Sequence, residues 1–108
     1  MIKVTFYKAE NEAYKGFTIE GHACYAAKGQ DILCSAVTAL SFNTVNSIEA
    51  LTDNKVKADA DKSGKLIFEF LSPSDDKGQL LVKSLVIGLT DIYREYGDEF
   101  IRIYFKEV

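Results

Sequence analysis

Hydrophobic and polar residues alternate through most of the first 22 positions. Along residues 2–8 every second side chain is apolar, and a period of two is typical of a β-strand. The segment AENEA at 9–13 predicts a turn, and the alternation resumes in YKGFTIEGH at 14–22. The two segments therefore predict a β-hairpin. His22 falls at the end of its second strand, on the polar face.

The period then changes to that of a helix over residues 31–51. Asp31 has a side chain that caps helix N-termini well, so we expect the helix to begin there. The polar residues Ser41, Asn43 and Asn46 are expected to lie away from the middle of its apolar face. That face is predicted to contain Leu33, Val37, Leu40, Ile48 and Leu51.

Two further strands are predicted after this helix, over 55–62 and 65–71. The first alternates weakly, and Ser63-Gly64 makes a tight connection to the second, KLIFEFL, which is the most hydrophobic strand of the chain. Its apolar face is expected to consist of Leu66, Phe68 and Phe70.

A second helix and a final strand complete the pattern. Ser72 is the expected N-cap of this helix, Pro73 its first residue, and Gly97 the cap at its end. Its apolar residues recur at helical spacing in Leu81, Leu85, Leu89, Ile92 and Tyr96.

The strand EFIRIYFKEV closes a β-β-α-β-β-α-β order. The expected fold class is α+β: a single domain over residues 1–108, with two helices packed on a five-stranded mixed or antiparallel sheet in a two-layer sandwich.

Composition narrows the classes of function. The net charge is −3 and the pI is near 5.1, which argues against direct nucleic-acid binding, although a basic protein partner would be attracted. The N-terminus does not have the pattern of a signal peptide. No apolar run approaches the roughly 18–20 residues that span a bilayer, so no membrane association is expected. With only two cysteines, these features indicate a cytoplasmic protein with thiols rather than disulfides.

The single histidine, His22, lies twelve positions before Cys34. If the helix begins at Asp31, Cys34 falls in its first turn, where unpaired N–H groups and the helix dipole favour an anion. Such a position lowers a thiol pKa from about 8.5 into the range of roughly 3.5–7.5. A nearby imidazole can take the thiol proton and give it to a leaving amine. The structural alternative is a buried core thiol and a solvated histidine.

The segment between these residues, ACYAAKG at 23–29, consists mainly of small side chains. It can admit a substrate backbone or move as a lid, or it is merely a permissive loop. Cys24 leaves two further alternatives open. With His22 and Cys34 it supplies three zinc ligands, although no fourth lies close in sequence, so no metal is expected. A disulfide with Cys34 is disfavoured in the cytosol.

Other chemistries lack their motifs. The phosphate-binding pattern G-x-x-x-x-G-K-[ST] is absent from the sequence. No arginine follows either cysteine closely enough to suggest a cysteine phosphatase. The acidic pair Asp75-Asp76 is accounted for by its place at the start of a helix.

The combination of Gly21-His22-Ala23, Gly29 and DILC at 31–34, followed by an alanine-rich helix with VNSIEAL, resembles the ribosomal-processing cysteine protease family of Gram-positive and related bacteria. The resemblance extends over essentially the whole chain in length and in element order. Its specific part is the G-H-A…G-x-D-[IV]-x-C pattern.

The resemblance implies a cysteine endopeptidase without a cofactor, in which Cys34 is the nucleophile and His22 the general base. The implied substrate is the N-terminal extension of a large-subunit ribosomal protein, the twenty-seventh in the standard list. The extension ends in hydrophobic and aromatic residues before the scissile bond. The resemblance also implies a homodimer to which the helices contribute.

Supporting positions follow from the same resemblance. The matching residues Gly21, Ala23, Gly29 and Asp31 are implied to shape the loop and the helix start. Thr38 stands where the family often has serine, so a hydroxyl is retained one helical turn after the cysteine.

Several roles stay open at the level of sequence. Asp31 either caps the helix, which we favour, or orients the ring of His22. Backbone N–H groups at the helix start, that of Cys34 among them, are candidate oxyanion donors. The rival functions are a non-catalytic ribosome-assembly factor that binds a basic ribosomal protein, and a metal-binding module.

Overall fold

The structure, a computed structural model, describes residues 1–21 and 30–108, with side chains from residue 32 onward in the second range. Its β-β-α-β-β-α-β order and its five-stranded sheet with two helices confirm the predicted fold class. Within the described ranges, no helix combines the length and apolar character that crossing a membrane requires. The elements are β1 (Ile2–Lys8), β2 (Tyr14–Glu20), α1 (Gln30–Leu51), β3 (Val56–Ala60), β4 (Leu66–Phe70), α2 (Asp76–Tyr96) and β5 (Ile101–Glu107).

The sheet is mixed, with the strand order β3-β4-β2-β1-β5. β1 pairs antiparallel with β2, β2 with β4 and β4 with β3, whereas β1 and β5 run parallel over seven residue pairs. The parallel pair requires a connection that crosses the sheet, and α2 provides it. β3 and β5 are therefore the two edge strands.

The core lies between the helices and one face of the sheet. Side chains at alternate strand positions are fully buried there, as the alternation predicted. Phe6 stacks on Phe105 with ring centroids 5.6 Å apart, and Phe17 stacks on Phe68 at 5.0 Å. The helices complete this core with Leu33, Val37, Val45, Ile48, Val82, Leu85 and Leu89.

The predicted apolar face of α1 is correct for three of its five residues. Leu33, Val37 and Ile48 are buried, but Leu40 is 36% exposed and Leu51 is 68% exposed. Ser41, which we expected away from that face, is 1% exposed. Its hydroxyl donates to the carbonyl of Val37 at 2.6 Å, and this bond within the helix lets a polar side chain enter the core.

The start of α2 also differs from the prediction. Ser72 is not the N-cap and Pro73 is not the first helical residue, because the helix begins at Asp76. Asp75 is the N-cap: its carboxylate accepts from the Gly78 N–H at 2.9 Å. At the other end of the helix Gly97 caps α2 as predicted, with a φ of 87° and its N–H bonded to the carbonyl of Tyr93.

The remaining differences are smaller. β2 ends at Glu20 rather than at residue 22. Tyr96 is 50% exposed, so it lies outside the apolar face of α2 to which we assigned it. On β3, Val56 and Ala58 pack against the core, while Ala60 is exposed at the end of the strand.

The two helices are antiparallel, which gives the molecule two distinct ends. α1 ends beside the start of α2, where the Asn54 amide donates to the Asp75 carboxylate at 2.8 Å. We call this the Asp75 end. α1 begins at the opposite end, where β2 and α2 finish and where β1 and β5 begin. We call it the Cys34 end.

Candidate active site

Cys34 is the fifth residue of α1 and lies at the end of the molecule named after it. It is a buried thiol, 5% exposed, within the hydrophobic core cluster. Burial is expected of a core cysteine and of a nucleophile held in a fixed position, so it agrees with both sequence interpretations. What favours chemistry is the location of Cys34 near the N-terminus of a long helix, whose dipole stabilises a negative charge, although Cys34 lies just past the first turn and not within it as the sequence predicted.

The start of α1 corrects one expectation. The helix begins at Gln30, so Asp31 lies in its first turn rather than at the N-cap. In α-helical geometry the N–H of the fifth residue, here Cys34, donates to the carbonyl four residues before it. The N–H groups without such a partner are those of the first three residues, ending at Ile32.

Gly21 fixes the path by which the chain leaves β2. Its φ is 79°, a conformation that favours glycine, and a Cβ on it would collide with the carbonyl oxygen of Met1. Glycine is therefore required here for its backbone conformation and for the close approach of the first residue. The backbone conformation of Gly21 therefore sets the direction in which the chain leaves β2.

Thr38 is half-buried on α1, four residues after Cys34. Residues at this spacing are neighbours on one side of a helix, so the hydroxyl lies one turn beyond the thiol, as expected from the sequence. Both residues belong to the part of α1 that packs into the molecule.

An exposed apolar surface surrounds the Cys34 end, and sequence reasoning missed it. Ile32 is 73% exposed although it lies two residues before the thiol. Leu40 of α1 lies over Gly88 of α2, where its Cδ1 would be 3.2 Å from an added Cβ. Ile32 lies eight residues before Leu40 in α1, and Tyr96 lies eight residues after Gly88 in α2. Because the two helices are antiparallel, Ile32 and Tyr96 lie at about the same height along the helix pair. A signal in the sequence was present for Ile32 alone, which falls outside the predicted apolar face of α1, whereas Tyr96 was assigned to the apolar face of α2.

Other predicted site residues lie outside the described part of the chain. His22, Ala23, Cys24 and Gly29 all fall between residues 22 and 29, and for Asp31 the backbone alone is described. The predicted meeting of His22 with Cys34 and the predicted role of the loop therefore lie outside the described residues. Among the residues that it does describe, no three metal-binding side chains come together.

Comparison with known proteins identifies the family. The family model for the cysteine protease Prp matches residues 1–101. The ribosomal processing cysteine protease Prp of Bacillus subtilis (strain 168) is 33% identical over 103 residues, covering 91% of this chain and 92% of that protein. The protein of the same name from Staphylococcus aureus (strain NCTC 8325 / PS 47) is 30% identical over 89 residues, covering 82% of this chain and 83% of that protein.

Solved structures agree in fold over the whole chain. SMU.848 from Streptococcus mutans superposes with a TM-score of 0.89 at 30% identity, covering 100% of this chain and 99% of that one. The essential ribosomal processing protease Prp from S. aureus, in complex with a substrate peptide, gives a TM-score of 0.91 at 27% identity, covering 98% and 100%. With its fold, its motif and its family match in agreement, the chain belongs to the Prp family of cysteine proteases.

Proposed function

We propose that this protein removes the N-terminal extension of a large-subunit ribosomal protein, the twenty-seventh in the standard list, with Cys34 as nucleophile and His22 as general base. The activity would belong to ribosome assembly in the cytoplasm. The observation that carries the proposal is the placement of Cys34 near the start of α1, at the end where Gly21 turns the chain out of β2 toward residue 22.

The chemistry of such a site has two stages. The Cys34 thiolate attacks the carbonyl carbon of the scissile peptide bond, and the carbon–nitrogen bond breaks as protonated His22 gives its proton to the leaving amine. Water then attacks the thioester with His22 as base, which releases the carboxylate product and returns a proton to the thiol. N–H groups in the first turn of α1 are available to stabilise the oxyanion in both stages.

Charge supports a basic substrate. The chain carries a net charge of −3, and ribosomal proteins that bind RNA are generally basic, so the two partners attract one another at long range. The solved S. aureus relative is in complex with a substrate peptide, which supports a polypeptide substrate for this protein.

The experiment is mass spectrometry of the extended ribosomal protein after incubation with wild-type enzyme, Cys34→Ala or His22→Ala. We expect one cut with the wild type and an intact substrate with both variants. Cys24→Ala is the matched control, because it removes the other thiol of the chain and should retain cleavage. Circular dichroism of each variant establishes that it is folded.

The outcomes separate the rival functions. An intact substrate with folded wild type would contradict the proposal and favour the assembly factor, in which case Cys34→Ala should still bind the ribosomal protein. Loss of cleavage in Cys24→Ala would assign a role to Cys24 that we do not propose. Metal analysis of the purified protein tests the remaining alternative, which requires stoichiometric zinc.

We further propose that the protein is a homodimer formed through the outer face of its helix layer. Leu51 of α1, and Leu80 and Ile87 of α2, are 64–68% exposed on this layer. Leu80 and Ile87 are seven residues apart, so they share one stripe of α2. Several large apolar side chains exposed on one layer are typical of an interface.

Sedimentation velocity tests the dimer directly. Ile87→Lys places a charge in the proposed interface and should convert the dimer into monomers. Leu71→Lys is the control, because Leu71 is similarly exposed at 59% but follows β4 rather than lying on a helix. A wild-type monomer at micromolar concentration, or an equal effect of both variants, would contradict the interface.

A further inference from the structure

An ion pair connects the end of β2 with the turn between β3 and β4. Lys65 Nζ lies 3.1 Å from Glu20 Oε1, and both side chains are partly exposed. Glu20 is the last residue of β2, and Lys65 directly precedes β4. The pair therefore lies at the Cys34 end of the molecule, where β2 finishes and β4 begins.

This ion pair extends the contact between β2 and β4 beyond their main-chain pairing. The pairing of the two strands ends where Ile19 lies opposite Leu66. Glu20 and Lys65 are the next residues along each chain, so their side chains meet at the position that a further cross-strand pair would occupy. On its other side Glu20 lies opposite Lys3 of β1. The final residue of β2 is thus held by contacts with both neighbouring strands.

The turn that contains Lys65 is itself fixed by hydrogen bonds. The Asp61 carboxylate accepts from the Ser63 N–H at 2.9 Å, from the Ser63 hydroxyl at 2.5 Å and from the Lys65 N–H at 3.0 Å. The Asp61 N–H donates to the Lys65 carbonyl at 3.0 Å. Gly64 has a φ of 88°, a conformation that glycine adopts readily in a tight turn. These bonds hold the backbone of Lys65 in place, so its side chain reaches Glu20 from a fixed support.

The location of Glu20 in the chain relates this ion pair to the reaction. Gly21 follows Glu20 with a positive φ, and the proposed general base, His22, comes two positions after Glu20. A displacement of about 1 Å in a reacting group can cost on the order of 100-fold in rate. Contacts that hold the last residue of β2 therefore affect catalysis even where they contribute little to stability.

A second ion pair of the same kind lies at the other end of the β1–β2 hairpin. Lys8 Nζ is 3.0 Å from Glu12 Oε2, at the turn that joins the two strands at the Asp75 end. The two lysine–glutamate pairs have similar lengths, but the pair of Lys8 and Glu12 lies at the end opposite Cys34. It is therefore a matched control for the pair of Glu20 and Lys65.

We propose that Glu20 and Lys65 are positioning residues for the reaction: their ion pair fixes the end of β2 and, through Gly21, the point from which the chain leads to His22. The proposal rests on the proposed function, because His22 is the general base in that function. Neither residue is required to contact the substrate, so their contribution belongs to the catalytic step and not to binding.

The test measures kcat and KM separately for cleavage of the extended ribosomal protein. Glu20→Gln and Lys65→Met should each lower kcat about three- to fivefold, the range that an exposed ion pair allows, with KM nearly unchanged. The double variant should be no slower than either single variant, because both changes remove the same interaction. Lys65→Arg keeps the ion pair and should keep kcat.

Lys8→Met and Glu12→Gln are the control variants. They remove the ion pair at the Asp75 end and should leave kcat unchanged. Urea unfolding of all four single variants should show small and similar losses of stability. A loss of kcat that is confined to the variants of Glu20 and Lys65 then reports on the position of the catalytic group and not on folding.

The direction of the two effects separates positioning from a direct effect of charge. Glu20→Gln removes a negative charge and Lys65→Met removes a positive one, so an electrostatic effect on the imidazole of His22 would change kcat in opposite directions. Losses in the same direction support positioning. Opposite directions, losses that multiply in the double variant, or equal losses in the control variants would overturn it.

If the wild type does not cleave the extended ribosomal protein, the proposed function fails, and the rate at which iodoacetamide alkylates Cys34 tests the positioning separately. In a Cys24→Ala background, Glu20→Gln and Lys65→Met should each slow alkylation in the same direction as His22→Ala, but less strongly. Alkylation of both variants at the wild-type rate would overturn the proposal.

Discussion

The two ends of this molecule are stabilised in different ways. At the Asp75 end, side-chain hydrogen bonds connect the helices and the sheet. Asn54 accepts from the Asp75 N–H at 3.0 Å and donates to its carboxylate, and Gln79 bonds to both backbone groups of Tyr14 at 2.7 and 2.9 Å. At the Cys34 end, the described residues include three glycines with positive φ, Gly21, Gly64 and Gly97.

This difference relates the fold to its function. Side-chain hydrogen bonds at the Asp75 end hold the helices in place on the sheet. Packing in the core between the helices and the sheet then positions Cys34 at the other end. The Cys34 end contains the start of α1, the turn at Gly21 and the exposed side chains of Ile32 and Tyr96, and loops and exposed apolar side chains of this kind are typical of a region that receives a ligand. We therefore expect substitutions at the Asp75 end to affect stability and those at the Cys34 end to affect catalysis.

The largest effect is expected for Gly21→Ala. The added methyl group would collide with the Met1 carbonyl in a backbone conformation that costs about 1–3 kcal/mol for other residues. We expect a corresponding loss of unfolding free energy. We also expect at least a tenfold loss of cleavage in the folded enzyme, because residue 22 is displaced.

Gly97→Ala is the matched control for this experiment. Its φ of 87° is similar, but no atom lies within 4 Å of an added Cβ. It should cost about 1–3 kcal/mol of stability, because the conformation of Gly97, with φ 87° and ψ 174°, is essentially restricted to glycine, and it should keep its activity. Equal losses of activity in the two variants, measured below both melting temperatures, would show that Gly21 has no special relation to the site.

An intermediate effect is expected for Gly78→Ala at the Asp75 end. Alanine normally stabilises a helix relative to glycine by up to about 1 kcal/mol, but here its Cβ would meet Ser74 Oγ, Asn54 Nδ2 at 2.7 Å and Phe70 Cε1 at 3.1 Å. The Asn54 side chain is held by its bonds to Asp75. We therefore predict a net destabilisation of about 1–2 kcal/mol in urea unfolding, with normal kcat.

Gly88→Ala, in the same helix, should have the opposite sign. Its Cβ would contact only the side chain of Leu40, which is partly exposed and can move. A gain of up to about 1 kcal/mol is expected from helix propensity. If both glycine variants were stabilising, packing at the Asp75 end would be looser than we describe.

Asp75 is expected to have a smaller effect, on the stability of the protein at acid pH. Hydrogen bonds from the Gly78 N–H and from Asn54 hold the pKa of its carboxyl below the usual value. A carboxyl with a lowered pKa in the folded state stabilises the protein above its unfolded pKa of about 3.9, and this contribution is lost as pH falls through the folded value.

Melting temperatures measured between pH 6 and pH 2 in wild type and in Asp75→Asn test this contribution, and the fall below about pH 4 should be shallower in the variant. The pKa of Asp61 is also lowered, chiefly by a hydrogen bond from Ser63, so part of the acid dependence should remain. If the melting temperatures of wild type and variant depended on pH in the same way, the hydrogen bonds of Asp75 would not stabilise its charged form over its protonated form.

The smallest effect is expected for Glu12→Gln. The Lys8–Glu12 ion pair spans 3.0 Å, and the bond raises the pKa of Lys8, but the Glu12 side chain is 79% exposed. Exposed pairs of this kind contribute about 0–1 kcal/mol. The change in urea midpoint should be within experimental error, and a large one would assign to the β1–β2 turn an importance we do not expect.

Much of the fold could be predicted from local sequence, because apolar residues recur along the chain with the same period as the buried side chains of a strand or a helix. Leu66 and Phe68 are buried at alternate positions of β4, as the sequence indicated. Helix faces were harder to predict: α1 contacts both the sheet and α2, so its buried surface is broader and differently centred than a single apolar stripe. Ser41 enters that surface by bonding to its own helix, and the hydrophobic pattern does not reveal such bonds.

Some parts of the candidate site could be predicted from the sequence, and others could not. Cys34 could be placed at a helix start from the residues that precede it, and the family pattern supplied the pairing with His22. The position of β5 at the edge of the sheet, beside the end of α2, could not be foreseen. Strand order arises from contacts distant in sequence, so it leaves no local pattern around Tyr104.

The most direct test of the central claim is to identify the residue that reacts with the substrate. A peptide with the sequence before the cut and a C-terminal chloromethyl ketone should alkylate the enzyme once, and tandem mass spectrometry should locate the label on Cys34. His22→Ala should slow labelling strongly, whereas Cys24→Ala should not. Labelling of Cys24, or equal rates for both cysteines, would contradict the assignment of Cys34 as the activated nucleophile.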